Sequence, residues 1–132
     1  MNLLSRLQHV SMLVADVPRA QTFYQGILGL QANTERPDLE FDGVWYDIGA
    51  IQIHLLCLPD PQSGLILPQH GGRDRHIALM VNDMDELKIR LERAHIPYTL
   101  SRSGRNALFC RDPDDNALEF IAGLDQKSDL SS

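Results

Sequence analysis

An internal repeat is the feature that most restricts how this chain can fold. The segment HVSMLVADVPRAQTFYQGILGL, which starts at His9, resembles HIALMVNDMDELKIRLERAHI, which starts 67 residues later at His76. Asp16 and Asp83 keep the same spacing, and each separates an alternating apolar segment from one with helical periodicity. The chain is therefore predicted to contain two copies of one small module.

The same order of elements is predicted in both copies: one strand, one helix and three further strands. In the first copy, the strands are expected at residues 7–14, 31–36, 44–48 and 50–58, with the helix at 18–28. In the second copy, the strands are expected at residues 76–82, 98–101, 106–111 and 117–122, with the helix at 84–94. This pattern predicts an α+β fold made of two βαβββ modules.

The two modules are expected to form one domain over residues 1–124. The first module covers residues 7–58 and the second 76–124, and the connector 59–75 is rich in Pro, Gly and Gln. Neither module should be stable alone, because four short strands and one helix bury too little apolar surface. Residues 125–132 are polar and are expected to form a flexible tail.

Composition and charge exclude several classes of function. With 43% hydrophobic and 23% charged residues, the chain has the balance of an ordinary globular domain. A net charge of -6 without a basic stripe disfavours nucleic acid, and no apolar segment is long enough to span a membrane. The N-terminus does not resemble a secretory signal, and Cys57 and Cys110 lack metal-ligand spacing, so a cytoplasmic protein without disulfides is expected.

Four side chains that can bind metals lie at repeat-equivalent or nearly equivalent positions. His9 and His76 begin the two modules, while His54 and Glu119 are single polar residues in the apolar last strands, 65 residues apart. Taken alone, His9 and His76 would more often be structural residues, and His54 or Glu119 could face solvent, but the joint placement of all four favours a shared site. Three imidazoles and one carboxylate predict one divalent ion such as Zn, Ni, Co, Fe or Mn, rather than Ca or Mg.

Other residues are candidates for binding a small-molecule substrate. Arg73 lies near the end of the glycine-containing connector, shortly before His76, and Arg105 precedes a strand. Both could bind a carboxylate or phosphate, although exposed, solvated arginines are the commoner case. Gln52 shares a strand face with His54 by spacing. Specificity is expected to lie in the segments around Trp45, 59–75 and 102–106.

The sequence resembles the vicinal oxygen chelate superfamily, also called the glyoxalase, bleomycin-resistance and extradiol-dioxygenase superfamily. The resemblance covers almost the whole chain and rests on HVSMLVADVPRAQTFYQGILGL, RHIALMVND and FCRDPDDNALEFI. HLLCLPDP, HGGRDRH and SRSGRNALFCRDPDDNALEF further resemble the glyoxalase I-like proteins of plants and cyanobacteria.

This resemblance implies paired βαβββ modules that form an eight-stranded, barrel-like open sheet around one divalent metal ion, commonly in a homodimer. Family ligands carry over by position onto His9, His76 and Glu119. His54 departs from the family pattern, because glyoxalase I enzymes usually have a glutamate there, whereas extradiol dioxygenases use only the other three positions.

A glyoxalase I-like lyase or isomerase is the function expected from this ligand set. The metal would bind two neighbouring substrate oxygens and stabilise an enediolate, Glu119 would remove the proton, and His54 could relay it. An extradiol-type dioxygenase with iron or manganese is one alternative. A binding or resistance protein that holds a metal or an aromatic compound without reacting is the other.

Overall fold

The computed structural model describes residues 1–123, which contain seven strands in two separate sheets. The backbone divides into two compact units, Met1–Ser63 and a second that begins at Gly64. The predicted flexible tail, residues 125–132, lies outside the described residues. Within residues 1–123, no helix combines the length and apolar character needed to cross a membrane.

The first unit is a three-stranded sheet with a helical segment. Its strands are β1 (His9–Val14), β2 (Gly43–Ile48) and β3 (Ile51–Cys57), in the order β1-β3-β2. β3 is parallel to β1 and antiparallel to β2. Helix α1 (Val17–Gln21) begins where Asp16 accepts a hydrogen bond from the Arg19 N–H at 2.9 Å, and it continues as a π-helical segment, Thr22–Ile27.

One face of this first sheet carries the hydrophobic core. Alternation along the strands sends Val14, Tyr46, Ile53 and Leu55 to this face, and all four are buried. The helical segment packs there, since the rings of Tyr24 and Tyr46 stack with centroids 5.8 Å apart. The opposite face is left for the odd-numbered residues of β1 and β2 and the even-numbered residues of β3.

The second unit repeats this plan with all four strands. It contains β4 (His76–Val81), α2 (Met84–Arg93), β5 (Tyr98–Leu100), β6 (Ala107–Arg111) and β7 (Ala117–Ala122), preceded by a 3-10 turn, Gly71–Arg73. The sheet order is β4-β7-β6-β5, with β4 and β7 parallel. Leu108, Leu118 and Phe120 are buried on one face, and Glu119 and Phe109 belong to the other.

The predicted strand at residues 31–36 is reduced to one bridge, Ala32 to Tyr46, so the described residues hold seven strands rather than eight. The Asn33 side chain accepts a hydrogen bond from the Glu35 N–H at 2.7 Å, which closes a local turn in place of a ladder. Pro37 then removes a backbone donor and restricts Arg36. The α+β class and the order of the remaining elements are as predicted.

The strand register confirms that His54 and Glu119 are equivalent positions. His54 lies opposite Ser11 in the parallel pair of β1 and β3, and Glu119 lies opposite Ala78 in the pair of β4 and β7. Ser11 and Ala78 each follow the repeated histidine by two residues. The different linear spacing of His54 and Glu119 therefore arises between the strands and not in their pairing.

Candidate functional site

Three aromatic rings stack on the face of the first sheet that lies opposite its hydrophobic core. Trp45 of β2 lies directly opposite His54 of β3, and their rings are parallel within 5° with centroids 4.1 Å apart. His9 of β1 covers the other face of His54, also at 4.1 Å and within 14°. His54 is only 9% exposed as a result. Two predicted metal ligands are thus neighbours, and the predicted substrate residue Trp45 contacts one of them.

Hydrogen bonds at the ring edges orient these two histidines. Nε2 of His54 lies 2.8 Å from Oε1 of Gln52, so the second predicted substrate residue on this sheet also contacts His54. Nδ1 of His9 is hydrogen-bonded to Oε1 of Gln8. Burial lowers the pKa of His54 below its usual value, and the nearby charges of His9 and Arg36 lower it further. These effects favour the neutral form of His54, the form in which imidazole binds metals.

In the second unit, His76 and Glu119 face each other. Nε2 of His76 lies 3.2 Å from Oε1 of Glu119, and Nδ1 of His76 lies 2.8 Å from the carbonyl oxygen of Asp74. The other carboxylate oxygen of Glu119, Oε2, accepts a hydrogen bond from Arg105 at 3.0 Å. Glu119 is 4% exposed, and the Phe109 ring meets His76 edge-on with centroids 5.2 Å apart.

The donor set of this pair suits a bound cation. A carbonyl oxygen only accepts, so Nδ1 of His76 must carry the proton that it shares with Asp74. In neutral His76, Nε2 then presents a lone pair to a carboxylate oxygen, and two acceptors at this distance require a proton or a cation between them. His9, the repeat mate of His76, likewise uses Nδ1 as a donor and leaves Nε2 with its lone pair. Histidine ligands typically donate from the second ring nitrogen in this way.

The four predicted ligands occur in the described residues as two pairs, His9 with His54 and His76 with Glu119. Within residues 1–123, no group of three or more His, Cys, Asp or Glu side chains is gathered around one point. Among the predicted substrate residues, Arg105 contacts Glu119. Arg73 is exposed at the end of the 3-10 turn. Within the described residues, it has no hydrogen bond to His76 or Glu119.

Sequence reasoning missed two residues that support His54 in the first pair. Asp47 accepts a hydrogen bond from Gln52 at 2.9 Å, and Asn33 donates to the same carboxylate at 2.9 Å. Asp47 follows Trp45 by two residues on β2, so strand alternation could have placed it on the face of His54. Asn33 carried no such signal, because its position depends on the turn that replaces the predicted strand.

Comparisons with known proteins identify the family that this chain resembles. The sequence profile of the Glyoxalase/Bleomycin resistance protein/Dioxygenase superfamily matches residues 6–120. Glyoxylase I 4 from Arabidopsis thaliana is 34% identical over 125 residues, which cover 89% of this chain and 70% of that protein.

Two solved structures have a similar fold. Lactoylglutathione lyase from Agrobacterium tumefaciens has a TM-score of 0.63 at 24% identity and covers 92% of this chain and 96% of its own. The fosfomycin resistance protein FosX from Listeria monocytogenes, solved with Mn(II) and sulfate, has a TM-score of 0.70 at 18% identity and covers 92% of both chains.

Proposed function

The chain belongs to the Glyoxalase/Bleomycin resistance protein/Dioxygenase superfamily, and we propose that it is a metal-dependent lyase or isomerase for a small molecule with two neighbouring oxygen atoms. The observation that carries this proposal is the matched register of the two donor pairs. Each sheet pairs a first-strand histidine with a second metal-competent side chain on its last strand. A shared metal site would explain why the single polar residue in each of these last strands is one that can bind a metal.

The proposed ligands are His9, His54, His76 and Glu119, which would hold one divalent ion, Zn, Ni, Co, Fe or Mn. The proposal that both pairs serve the same ion rests on the sequence repeat and on the family resemblance. Three imidazoles and a carboxylate are suited to any of these ions. A divalent ion held by them supplies Lewis acidity towards the two neighbouring oxygens of the substrate.

Glu119 is the proposed general base. Arg105 holds Oε2, so Oε1, the oxygen that faces His76, is the one that can take up a proton from a substrate carbon. His54 is the proposed partner that passes the proton on. The side chain of Arg105 is 56% exposed, so its guanidinium can also reach an anionic group of the substrate. Arg73, Trp45 and Gln52 are the other proposed substrate contacts.

An extradiol-type dioxygenase is the second candidate. It is favoured by the surroundings of His54, whose ring faces are covered by Trp45 and His9 and whose Nε2 is hydrogen-bonded to Gln52. If His54 does not bind the metal, the remaining set of His9, His76 and Glu119 has two imidazoles and one carboxylate, as non-haem iron oxygenases do. The third candidate, a binding or resistance protein, would hold its ligand without turnover.

The family resemblance also leads us to propose a homodimer.

Metal content tests the site directly. We expect the protein, purified without a histidine tag, to bind one divalent ion per chain by elemental analysis and cobalt titration. His9→Ala, His54→Gln, His76→Ala and Glu119→Ala should each weaken binding, whereas His95→Asn, a change at an exposed histidine, should not. A wild-type protein that neither carries nor takes up metal would refute the proposed site.

The reaction class can then be assigned with the loaded protein. Proton abstraction predicts exchange of a carbon-bound hydrogen in deuterium oxide for a hydroxy-carbonyl substrate, and Glu119→Gln should slow it about 100-fold or more. Catechols consumed by the ferrous protein together with oxygen would instead identify a dioxygenase. Tight binding with neither reaction would identify a binding protein.

A further inference from the structure

A directional chain of hydrogen bonds ends on His54. It begins at the backbone N–H of Glu35, which can only donate, and its acceptor is Oδ1 of Asn33 at 2.7 Å. The amide nitrogen of Asn33 must therefore point the other way, and it donates to Oδ2 of Asp47 at 2.9 Å. The orientation of the Asn33 amide is thus fixed by the backbone.

The series of hydrogen bonds continues across the same face of the first sheet, opposite its hydrophobic core. Asp47 accepts a second hydrogen bond at Oδ1, from Nε2 of Gln52 at 2.9 Å. Because a carboxylate only accepts, the nitrogen of the Gln52 amide faces Asp47 and its oxygen faces His54. Oε1 of Gln52 lies 2.8 Å from Nε2 of His54, so Nε2 of His54 has to be the donor.

We infer that Asn33, Asp47 and Gln52 fix Nε2 of His54 as the protonated nitrogen, so that in the neutral imidazole Nδ1 carries the lone pair. His9 and His76 have the opposite arrangement, because each donates from Nδ1. Trp45 and His9 cover both ring faces of His54, so its remaining contacts are made at the ring edge. Gln52 and Asp47 are therefore positioning residues.

The inference concerns the metal-free protein, but its use rests on the proposed function. In the proposed site, Nδ1 would be the atom of His54 that binds the metal or accepts the relayed proton. Residues that hold a ligand histidine in one tautomer usually contribute about 10-fold to 100-fold to metal affinity. Asp47 and Asn33 would act through Gln52 and His54, without touching the metal.

Asp47→Asn is the most informative variant, because it keeps the shape of the side chain and lies at an exposed position. An asparagine there cannot accept from both Asn33 and Gln52, so one of these amides must turn round. The Glu35 N–H opposes a turn of Asn33, so Gln52 turns and points its own N–H groups at Nε2 of His54. That nitrogen must then lose its proton, and Nδ1 must gain it.

The measurement is a long-range ¹H–¹⁵N correlation spectrum of metal-free protein with labelled histidines at about pH 8, where imidazoles are neutral. His54 is assigned by its absence in His54→Gln. We expect the Nε2-protonated form in the wild type, a population of the Nδ1-protonated form in Asp47→Asn, and the wild-type spectrum in the isosteric control Asp38→Asn. Cobalt titration should show about a 10-fold to 100-fold loss of affinity in Asp47→Asn only.

Two results would overturn the inference: wild-type His54 protonated at Nδ1, or an unchanged His54 spectrum in Asp47→Asn. Gln52→Leu provides a second variant, in which the hydrogen-bonded Nε2 proton of His54 should exchange rapidly with water. The failure of the proposed function is distinguishable, since a protein that binds no metal refutes the site and still shows the tautomer. A wrong tautomer with metal bound would refute only the inference.

Discussion

At the residue scale, Glu119 shows how a single polar side chain in an apolar strand can be accommodated. It is buried on β7, where its Oε2 accepts a hydrogen bond from Arg105 and its Oε1 lies 3.2 Å from Nε2 of His76. A buried carboxylate is stable only when it is paired in this way. The contact with Arg105 places a cation beside this carboxylate, and it connects the turn before β6 to the candidate site.

This pairing predicts energetic coupling between Arg105 and Glu119 in the metal-free protein. Removing Arg105 deprives the buried carboxylate of its cation, so Arg105→Ala should lower the free energy of unfolding by about 1–2 kcal/mol, less than for a fully buried pair because Arg105 is half exposed. In the Glu119→Gln background the same change should cost much less. Urea unfolding of the double-mutant cycle measures this difference.

Arg102→Ala, a change at an exposed arginine on the same loop, is the matched control and should show no coupling to Glu119. Equal costs for Arg105→Ala with and without the carboxylate would show that the ion pair contributes nothing to stability. The residues of the pair could be predicted separately from sequence, because Glu119 interrupts an apolar strand and Arg105 precedes another. Their contact could not, since it depends on how the turn at residues 101–106 folds.

At the scale of elements, strand register decides which side chains become neighbours. Alternation predicted that His54 and Gln52 share a face, but only the pairing of β2 with β3 brings Trp45 opposite His54. The repeat predicted the equivalence of His54 and Glu119, which the two parallel pairs confirm. The strand predicted at residues 31–36 is wrong in extent, because local hydrogen bonding by Asn33 competes with the ladder.

The start of β2 gives a test of this packing. A Cβ atom added at Gly43 would lie 2.2 Å from the backbone carbonyl oxygen of Leu55, a distance that only a shift of β2 or β3 could relieve. Gly43→Ala should therefore lower the free energy of unfolding by about 3 kcal/mol. Gly26, in the π-helical segment, has nothing within 4 Å of such an atom, so Gly26→Ala should stabilise the protein by about 0.5–1 kcal/mol.

Urea unfolding midpoints of the two variants measure both effects on one scale. The same chemical change is expected to act with opposite signs, since one glycine lacks space for a side chain and the other has only excess backbone freedom. A neutral Gly43→Ala variant would contradict the close approach of β2 to β3. Sequence alone could not distinguish these two glycines, because neither has a positive φ that would mark a special backbone conformation.

At the scale of the whole molecule, the repeat predicted the element order and the fold class, and the buried faces of both sheets follow its alternation. What the repeat could not predict is how the pKa values of buried groups differ between the folded and unfolded states. Burial raises the pKa of Tyr46 from 10.0 to about 12. Burial, with a smaller contribution from the charge of Asp112, raises the pKa of Cys110 from 9.0 to about 12.

These two shifts predict that stability falls at alkaline pH. The folded protein keeps protons that the unfolded chain releases, so unfolding is favoured as pH rises above about 9 for Cys110 and 10 for Tyr46, up to about 12. Each group can contribute up to about 1.4 kcal/mol of lost stability per pH unit in its window. Urea unfolding at a series of pH values from about 8 to 12 measures the slope.

Cys110→Ala should flatten this alkaline decline from about pH 9, and Tyr46→Phe from about pH 10, even though Tyr46→Phe also loses the hydrogen bond to Gln25 and costs about 1 kcal/mol at neutral pH. Cys57→Ala, at a half-buried thiol, is the matched control for Cys110→Ala. If all three variants decline as steeply as the wild type, the buried phenol and thiol do not govern alkaline stability. A slope that flattens only in Tyr46→Phe and Cys110→Ala would instead show that the protons lost on alkaline unfolding come from these two side chains. Each is buried in the core of its own sheet, on the face opposite the candidate ligands.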